Sequence, residues 1–476
     1  LRGPAATLYG ADAVGGVIQI FTKRGEPGLR ANGFVGYGTQ NTAQVSAGLS
    51  GGNEQWRFRL DGNHQSSDSI SARRNASNKD ADRDPYRNTG GGASLSFLPA
   101  KGHEIGLSYR RNEGKTYYDS SSGTSSFDSR VLFESEQWQV FTKNRILDNW
   151  NSKLHYGEAV DYQNNFYSGA PANGDYLRTQ NKQLGWQNDV KLPLGSALIS
   201  LERQDQSVTP RTSFAADSEV TINSVVAGWM ANYDIHRWQI TGRHDDHSQF
   251  GAADTYALAY GLQLAKQWRA HVSYGTAFKA PSLYQLFDQY SGNPLLQAEK
   301  AKNQEAALIW DSGSQTVSAT YYQNRIENLI DYSFTTFKYQ NVSRAQLEGL
   351  TLAYQARFED WSIGASADFL DAKNEDSGKK LGRRAGQKAT LWVSRRIGSF
   401  DVGGEFMAVD KRFNSNTETG LMDAYTLTNL TGRYAITKEL AIEGRINNVF
   451  DKQYETALGY GTFGRNAFIG LRYSPK

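Results

Sequence analysis

Gln55-Trp56-Arg57-Phe58-Arg59-Leu60-Asp61 puts Trp56, Phe58 and Leu60 on one side of an extended chain and Arg57, Arg59 and Asp61 on the other. A period of two is the mark of a strand with unlike faces. The same texture recurs along the chain. In 362–369, Ile363, Ala365, Ala367 and Phe369 oppose small or polar residues; at the end, Ala467, Ile469, Leu471 and Tyr473 alternate with Asn466, Phe468, Gly470 and Arg472. A soluble multi-sheet β protein would also alternate. Its inner faces, however, must close a dry core, and full charges strand after strand do not suit one.

The connections separate the two readings. Short turns stand at 51–54, 99–103, 147–150, 192–195, 234–237, 265–268, 311–314, 357–361, 397–399 and 435–439. Longer polar stretches lie between them, among them 66–89, 113–130, 164–180, 278–302, 372–386 and 410–423. Ten short turns and eleven intervening connections, a few of them tight, join 22 strands. Short turns at one rim and long loops at the other predict an all-β, 22-stranded antiparallel transmembrane β-barrel. Trp150, Trp238, Trp268 and Trp361, all near turns, suit an interfacial girdle. A barrel of this size has a lumen wide enough to need a plug.

Composition agrees. The 476 residues carry 52 basic and 49 acidic side chains, a net +3 with no concentrated basic block, so nucleic acid is not an expected partner. The absence of cysteine excludes disulfides and thiolate chemistry. Mean hydropathy is −0.61, and no run approaches the ~18 apolar residues of a spanning helix. The start, Leu1-Arg2-Gly3-Pro4, has neither an initiator Met nor a signal peptide and reads as a fragment or processed chain.

Three segments carry a family likeness. They are Arg2-Gly3-Pro4-Ala5-Ala6-Thr7-Leu8-Tyr9-Gly10 running on to Gly15-Gly16-Val17-Ile18-Gln19-Ile20-Phe21-Thr22-Lys23; Ser273-Tyr274-Gly275-Thr276-Ala277-Phe278-Lys279-Ala280-Pro281 with Gly292-Asn293-Pro294 and Glu299; and Asn447-Asn448-Val449-Phe450-Asp451-Lys452-Gln453-Tyr454. Together they resemble TonB-dependent outer-membrane receptors over essentially the whole chain. The resemblance implies that 1–28 is the closing end of a plug domain, with Gly15-Gly16 turning into a short buried strand from Val17 to Phe21. Residues 29–476 are then the barrel. It also implies a monomer in the outer membrane of a Gram-negative bacterium, in contact with the lipid bilayer. The TonB box and nearly all of the plug are missing from the chain as given, so coupling to TonB would run through the missing part. Asp245-Asp246-His247-Ser248-Gln249-Phe250-Gly251, Asn328-Leu329-Ile330-Asp331-Tyr332, Arg383-Arg384-Ala385, and Tyr454-Glu455-Thr456 with Gly459-Tyr460 are similar to stretches of the family's cobalamin (corrinoid) receptors.

Two consecutive long loops are acidic: Asp68, Asp80, Asp82 and Asp84 in the first, Asp119 and Asp128 in the second. Alternate aspartates can aim several carboxylates at one hard cation, and Ca²⁺ takes 6–8 oxygens. The resemblance implies a structural calcium there; the alternative is a solvated loop balanced by Arg73, Arg74, Arg83 and Arg87. For cargo, the resemblance points to Tyr118, Arg383 and Tyr460, aromatic faces and a donor that suit a large amphipathic corrinoid. His244-Asp245-Asp246-His247 looks like a metal site, but on a strand the four split between two faces and read as polar wall residues. No nucleophile motif accompanies the seven histidines, so an enzyme is not expected. The expected function is cobalamin uptake coupled to TonB. The alternatives are a siderophore or haem receptor of the same family and, in another class, a passive pore.

Overall fold

The computed structural model describes the chain except residues 1–6, 8, 9, 11–13, 15, 75–81, 120–128, 167–174, 211–217, 334, 335 and 476. The strands are β1 Gly28–Gly38, β2 Thr42–Gly52, β3 Trp56–Ser67, β4 Tyr86–Phe97, β5 His103–Tyr117, β6 Arg130–Leu147, β7 Trp150–Phe166 and β8 Asp175–Lys191. Next come β9 Ser196–Pro210, β10 Ser218–Tyr233, β11 His236–His247, β12 Gly251–Ala265, β13 Trp268–Lys279, β14 Glu299–Asp311, β15 Gln315–Ser333 and β16 Lys338–Phe358. The last are β17 Trp361–Asn374, β18 Gln387–Ile397, β19 Phe400–Val409, β20 Arg412–Phe413, β21 Leu421–Met422, β22 Tyr425–Ala435, β23 Leu440–Asn447 and β24 Asn466–Tyr473.

All but β20 and β21 form one 22-stranded antiparallel sheet. It closes on itself where Gly33–Gly38 of β1 pairs with Phe468–Tyr473 of β24. Closure leaves no free sheet edge, the condition for strands to cross a bilayer. Each turn predicted to be short joins neighbouring strands at one rim. At one of them Gly195 has φ +87°, and a Cβ there would lie 2.0 Å from the Met230 carbonyl oxygen, so only glycine fits.

The alternation resolves into an apolar outside and a polar inside. Val35, Leu60, Leu107, Ile199 and Ile469 are among many large apolar side chains left exposed on the outer wall. A soluble protein does not leave a continuous apolar belt in water. At the short-turn rim aromatic rings pair across strands, Trp56 with Phe97 at 4.6 Å, Trp238 with Tyr260 at 4.5 Å and Phe400 with Tyr434 at 4.5 Å. In β24, Ile469, Leu471 and Tyr473 face outward. Arg472 turns inward, 2.8 Å from Glu443 and stacked over Phe34 at 4.6 Å.

The first segment departs from expectation. Val17–Phe21 forms no buried strand; Ile18, Ile20 and Phe21 are more than 80% exposed. Val14 packs on Ala277, Ala301, Ile326 and Ala345 of β13–β16. Farther along, Thr22 and Lys23 line a cavity with Arg59, Asp61 and Arg110 of β3–β5, and Arg24 pairs with Glu104 at 3.3 Å. Residues 17–21 run between these two anchor points and in the described structure belong to no sheet, so they have no ladder to pair into.

Candidate functional site

The long-loop rim gathers three carboxylates. Asp82, Asp84 and Asp119 each place an oxygen within 4.8 Å of the others. Main-chain donors from the β3–β4 loop hold them there: the Ala72 amide donates to Asp84 Oδ2 at 2.8 Å and the Arg73 amide to Asp119 Oδ2 at 2.9 Å. Ser71 Oγ also donates to Asp119 Oδ2, at 3.1 Å. Burial and the neighbouring Asp119 and Asp82 charges push the Asp84 carboxyl up to about 6, against the pull of the Ala72 amide. Asp119 Oδ1 is buried and accepts no hydrogen bond. Asp82, Asp84 and Asp119, hard oxygens of which one is unsatisfied, are the residues that could hold a divalent cation such as calcium. Asp68 stands apart from them: its carboxylate accepts from Asn41 Nδ2 and pairs with Arg83 at 3.6 Å. Asp80 and Asp128 lie outside the described residues.

The same loop ties the cluster to the far end of the chain. Arg73 forms an isolated bridge with Tyr460; the Arg74 amide donates to Gly459 O at 3.0 Å and the Gly461 amide to Ala72 O at 2.7 Å. Tyr118, next to Asp119, donates its amide to Ser129 O at 3.0 Å. Arg383, in the left-handed region with φ +58°, donates Nε to Asn414 Oδ1 at 3.0 Å. Asn414 Oδ1 also accepts from the Leu458 amide at 3.2 Å, two residues from Tyr460. Tyr118, Arg383 and Tyr460 therefore stand on one hydrogen-bonded belt of loops, together with the acidic cluster. Arg384 precedes the start of β18, so strand alternation does not set its direction; its Nη1 donates to Gly382 O at 3.1 Å.

The sequence matches the family described as TonB dependent receptor-like, beta-barrel over residues 7–449. The chain belongs to that family. Among solved structures, the siderophore receptor PirA from Acinetobacter baumannii has a TM-score of 0.89 at 16% identity, covering 100% of this chain and 84% of that one. The ferric enterobactin receptor PfeA from Pseudomonas aeruginosa, in complex with enterobactin, has a TM-score of 0.87 at 18% identity, covering 100% and 85%. The copper transporter OprC has 0.82 at 15% identity, covering 100% and 85%. At these identities the likeness is one of fold. The family and these structures are receptors and transporters, and a 22-strand barrel of this family points to a Gram-negative outer membrane.

In this TonB-dependent receptor the histidine-aspartate run divides as alternation predicts. His244 pairs with Asp254 at 2.7 Å on one face, while Asp245 and His247 are buried on the other. Sequence reading missed the main-chain donors of Ala72 and Arg73, Ser71, and the linker Asn414. Amides carry no residue-specific signal, and Asn414 is an ordinary loop asparagine until the fold sets it between two distant segments.

Proposed function

We propose that this chain is the barrel of a cobalamin receptor, with 1–28 the closing end of its plug, and that it draws on TonB for transport. A calcium ion held by Asp82, Asp84 and Asp119 orders the loops, and Tyr118, Arg383 and Tyr460 contact the corrinoid. The observation that carries this reading is the loop belt. Residues singled out separately for calcium and for cargo lie on one network, so ordering the first set stiffens the second and lowers the ordering cost of binding. A titration with cyanocobalamin, with and without calcium, tests it. Binding that tightens with calcium and weakens in Arg383→Ala supports the reading; no binding under either condition ends it.

A second reading takes a ferric siderophore as cargo. It is supported by PirA and PfeA, whose folds this chain shares. Titration with ferric enterobactin in parallel separates the two.

A further inference from the structure

Away from the acidic cluster lies a cavity of about 950 Å³ lined neither by that cluster nor by Tyr118, Arg383 or Tyr460. Five tyrosines face it: Tyr176, Tyr284, Tyr290, Tyr332 and Tyr339. They come from three separate places, the start of β8, the 280–298 connection, and the two arms of the β15–β16 hairpin. Their rings meet edge to face, Tyr332 with Tyr339 at 5.4 Å and Tyr284 with Tyr339 at 6.3 Å.

The 280–298 connection is built to hold this shape. It opens with α1, Leu283–Phe287, capped reciprocally by Ser282 and Gln285. Leu283 and Phe287 pack on Leu177, Val208, Val220 and Ile222 of β8–β10. Its other side is zipped to the β15–β16 hairpin. The Tyr339 amide donates to Ser291 O at 2.9 Å, Asn293 Nδ2 to Tyr339 O at 3.0 Å, and Asn341 exchanges bonds with Gln297 at 2.8 and 2.9 Å. Tyr284, Tyr332 and Tyr339 are thus preorganised, so little of their ordering cost is left for a ligand to meet.

Charge gives the ligand class. No lysine or arginine lines the cavity among the described residues; its charged groups are Asp175 and Asp288. Asp288 is fixed by the Ser291 amide at 2.7 Å and Ser291 Oγ at 2.6 Å. Lys338, beside Tyr339, donates Nζ to Gly292 O at 3.1 Å. Tyrosine faces are electron-rich and attract cations and polarised C–H groups, while two carboxylates repel anions. The volume falls in the usual ~300–1,000 Å³ range of small-molecule sites.

We infer that this tyrosine-lined cavity is a binding site for large, uncharged or cationic ring-bearing solutes and that it rejects anionic complexes. The inference rests on the receptor reading and narrows its cargo, favouring a net-uncharged corrinoid over a trianionic ferric tris-catecholate.

The test uses the full chain in detergent with three probes: cyanocobalamin, the planar cation proflavine and ferric enterobactin. Tyr176→Ala with Tyr290→Ala should weaken proflavine and cyanocobalamin binding at least tenfold. Heat-modifiable migration on gels confirms that the variant barrel is folded. Asp175→Lys should weaken proflavine several-fold and strengthen ferric enterobactin. Proflavine binding lost with the tyrosines, without any cobalamin binding, keeps this site and ends the corrinoid reading. Cobalamin binding that falls in Arg383→Ala but ignores the tyrosine pair keeps the corrinoid reading and overturns this site. Ferric enterobactin bound by the unaltered chain as tightly as cyanocobalamin, and lost with the tyrosines, also overturns it.

Discussion

The lumen has two unlike walls. On β10–β17 the inward side chains are small or tightly paired. Ala277, Ala301, Ile326 and Ala345 lie opposite one another across four strands, and Val14 packs on them. Beside them Arg243, with its side chain 5% exposed, bonds Asp245 at 2.8 Å, Glu202 at 2.9 Å and Ser224 at 2.8 Å. On β18–β1 the inward groups are long and wet. Arg396, Asp401, Arg433, Glu443 and Arg472 form a ladder whose contacts run from 2.8 to 3.7 Å, with Arg472 45% exposed. The same alternation built both walls. They differ in dielectric: the first buries its charges and must satisfy them, and the second leaves them to water.

The contrast should show most strongly in truncations. Arg243→Ala leaves Asp245 buried with only Ser224 Oγ as a donor and no charged partner, and should cost ~3–5 kcal/mol. The equivalent cut in the wet wall, Arg472→Ala, should cost ~0–1 kcal/mol. Urea unfolding in lipid vesicles measures both. Similar losses would mean the two walls are electrostatically alike.

Crossing from lumen to lipid is the next largest effect. Leu471→Arg should cost ~2–4 kcal/mol and impair assembly, because its side chain faces hydrocarbon. Its neighbour Arg472, a wet lumen residue, should tolerate the reverse change to Leu with little loss. If the detergent-solubilised barrel accepted Arg at 471 without penalty, the inside and outside assignments would be reversed.

Calcium should act on the loops of β3–β6 and leave β10–β17 unchanged. Unfolded, Asp84 titrates near 3.8, and folded at about 6, so the folded loop binds its proton more tightly. That contribution is fully present below about pH 4 and lost as pH rises through 6, unless a cation replaces the proton. Calcium affinity should therefore fall as pH drops below 6, by up to ~tenfold per unit for a single competing proton. Hydrogen exchange with and without chelator, at pH 5 and 7.5, measures it. Protection changing equally in both walls would remove the link between this cluster and its own loops.

The smallest effect should come from the end of the wet ladder. Arg396→Ala removes a 2.9 Å contact to Asp401 whose arginine is 68% exposed. No measurable change in unfolding midpoint is expected at moderate salt, and none at high salt.

Much of this is legible in the sequence. The split of Arg57, Arg59 and Asp61 from Trp56 and Leu60 already separated lumen from lipid, because a pleated strand has only two faces. The turn lengths ordered the rims for the same reason that hairpins are short: antiparallel neighbours need only a few residues to reverse. The acidic loops were legible in part. Asp82, Asp84 and Asp119 meet, while Asp68 goes to Arg83, since nothing local to an aspartate tells which partner another loop will bring within reach. Val17–Phe21 departs from what the resemblance implies because pairing depends on a neighbour that the segment itself cannot specify.

By itself the sequence determined the barrel, its strand number, its inward and outward faces and its family, all of which follow from periodicity, connection length and local motif. Only the tertiary structure decided which lumen wall is dry, which carboxylates converge, and that five tyrosines from three distant segments share one cavity. Those are matters of closure. When β1 meets β24 the order of strands around the ring sets which loops become neighbours, and the distances between side chains hundreds of residues apart are fixed by that ring rather than by any stretch of chain.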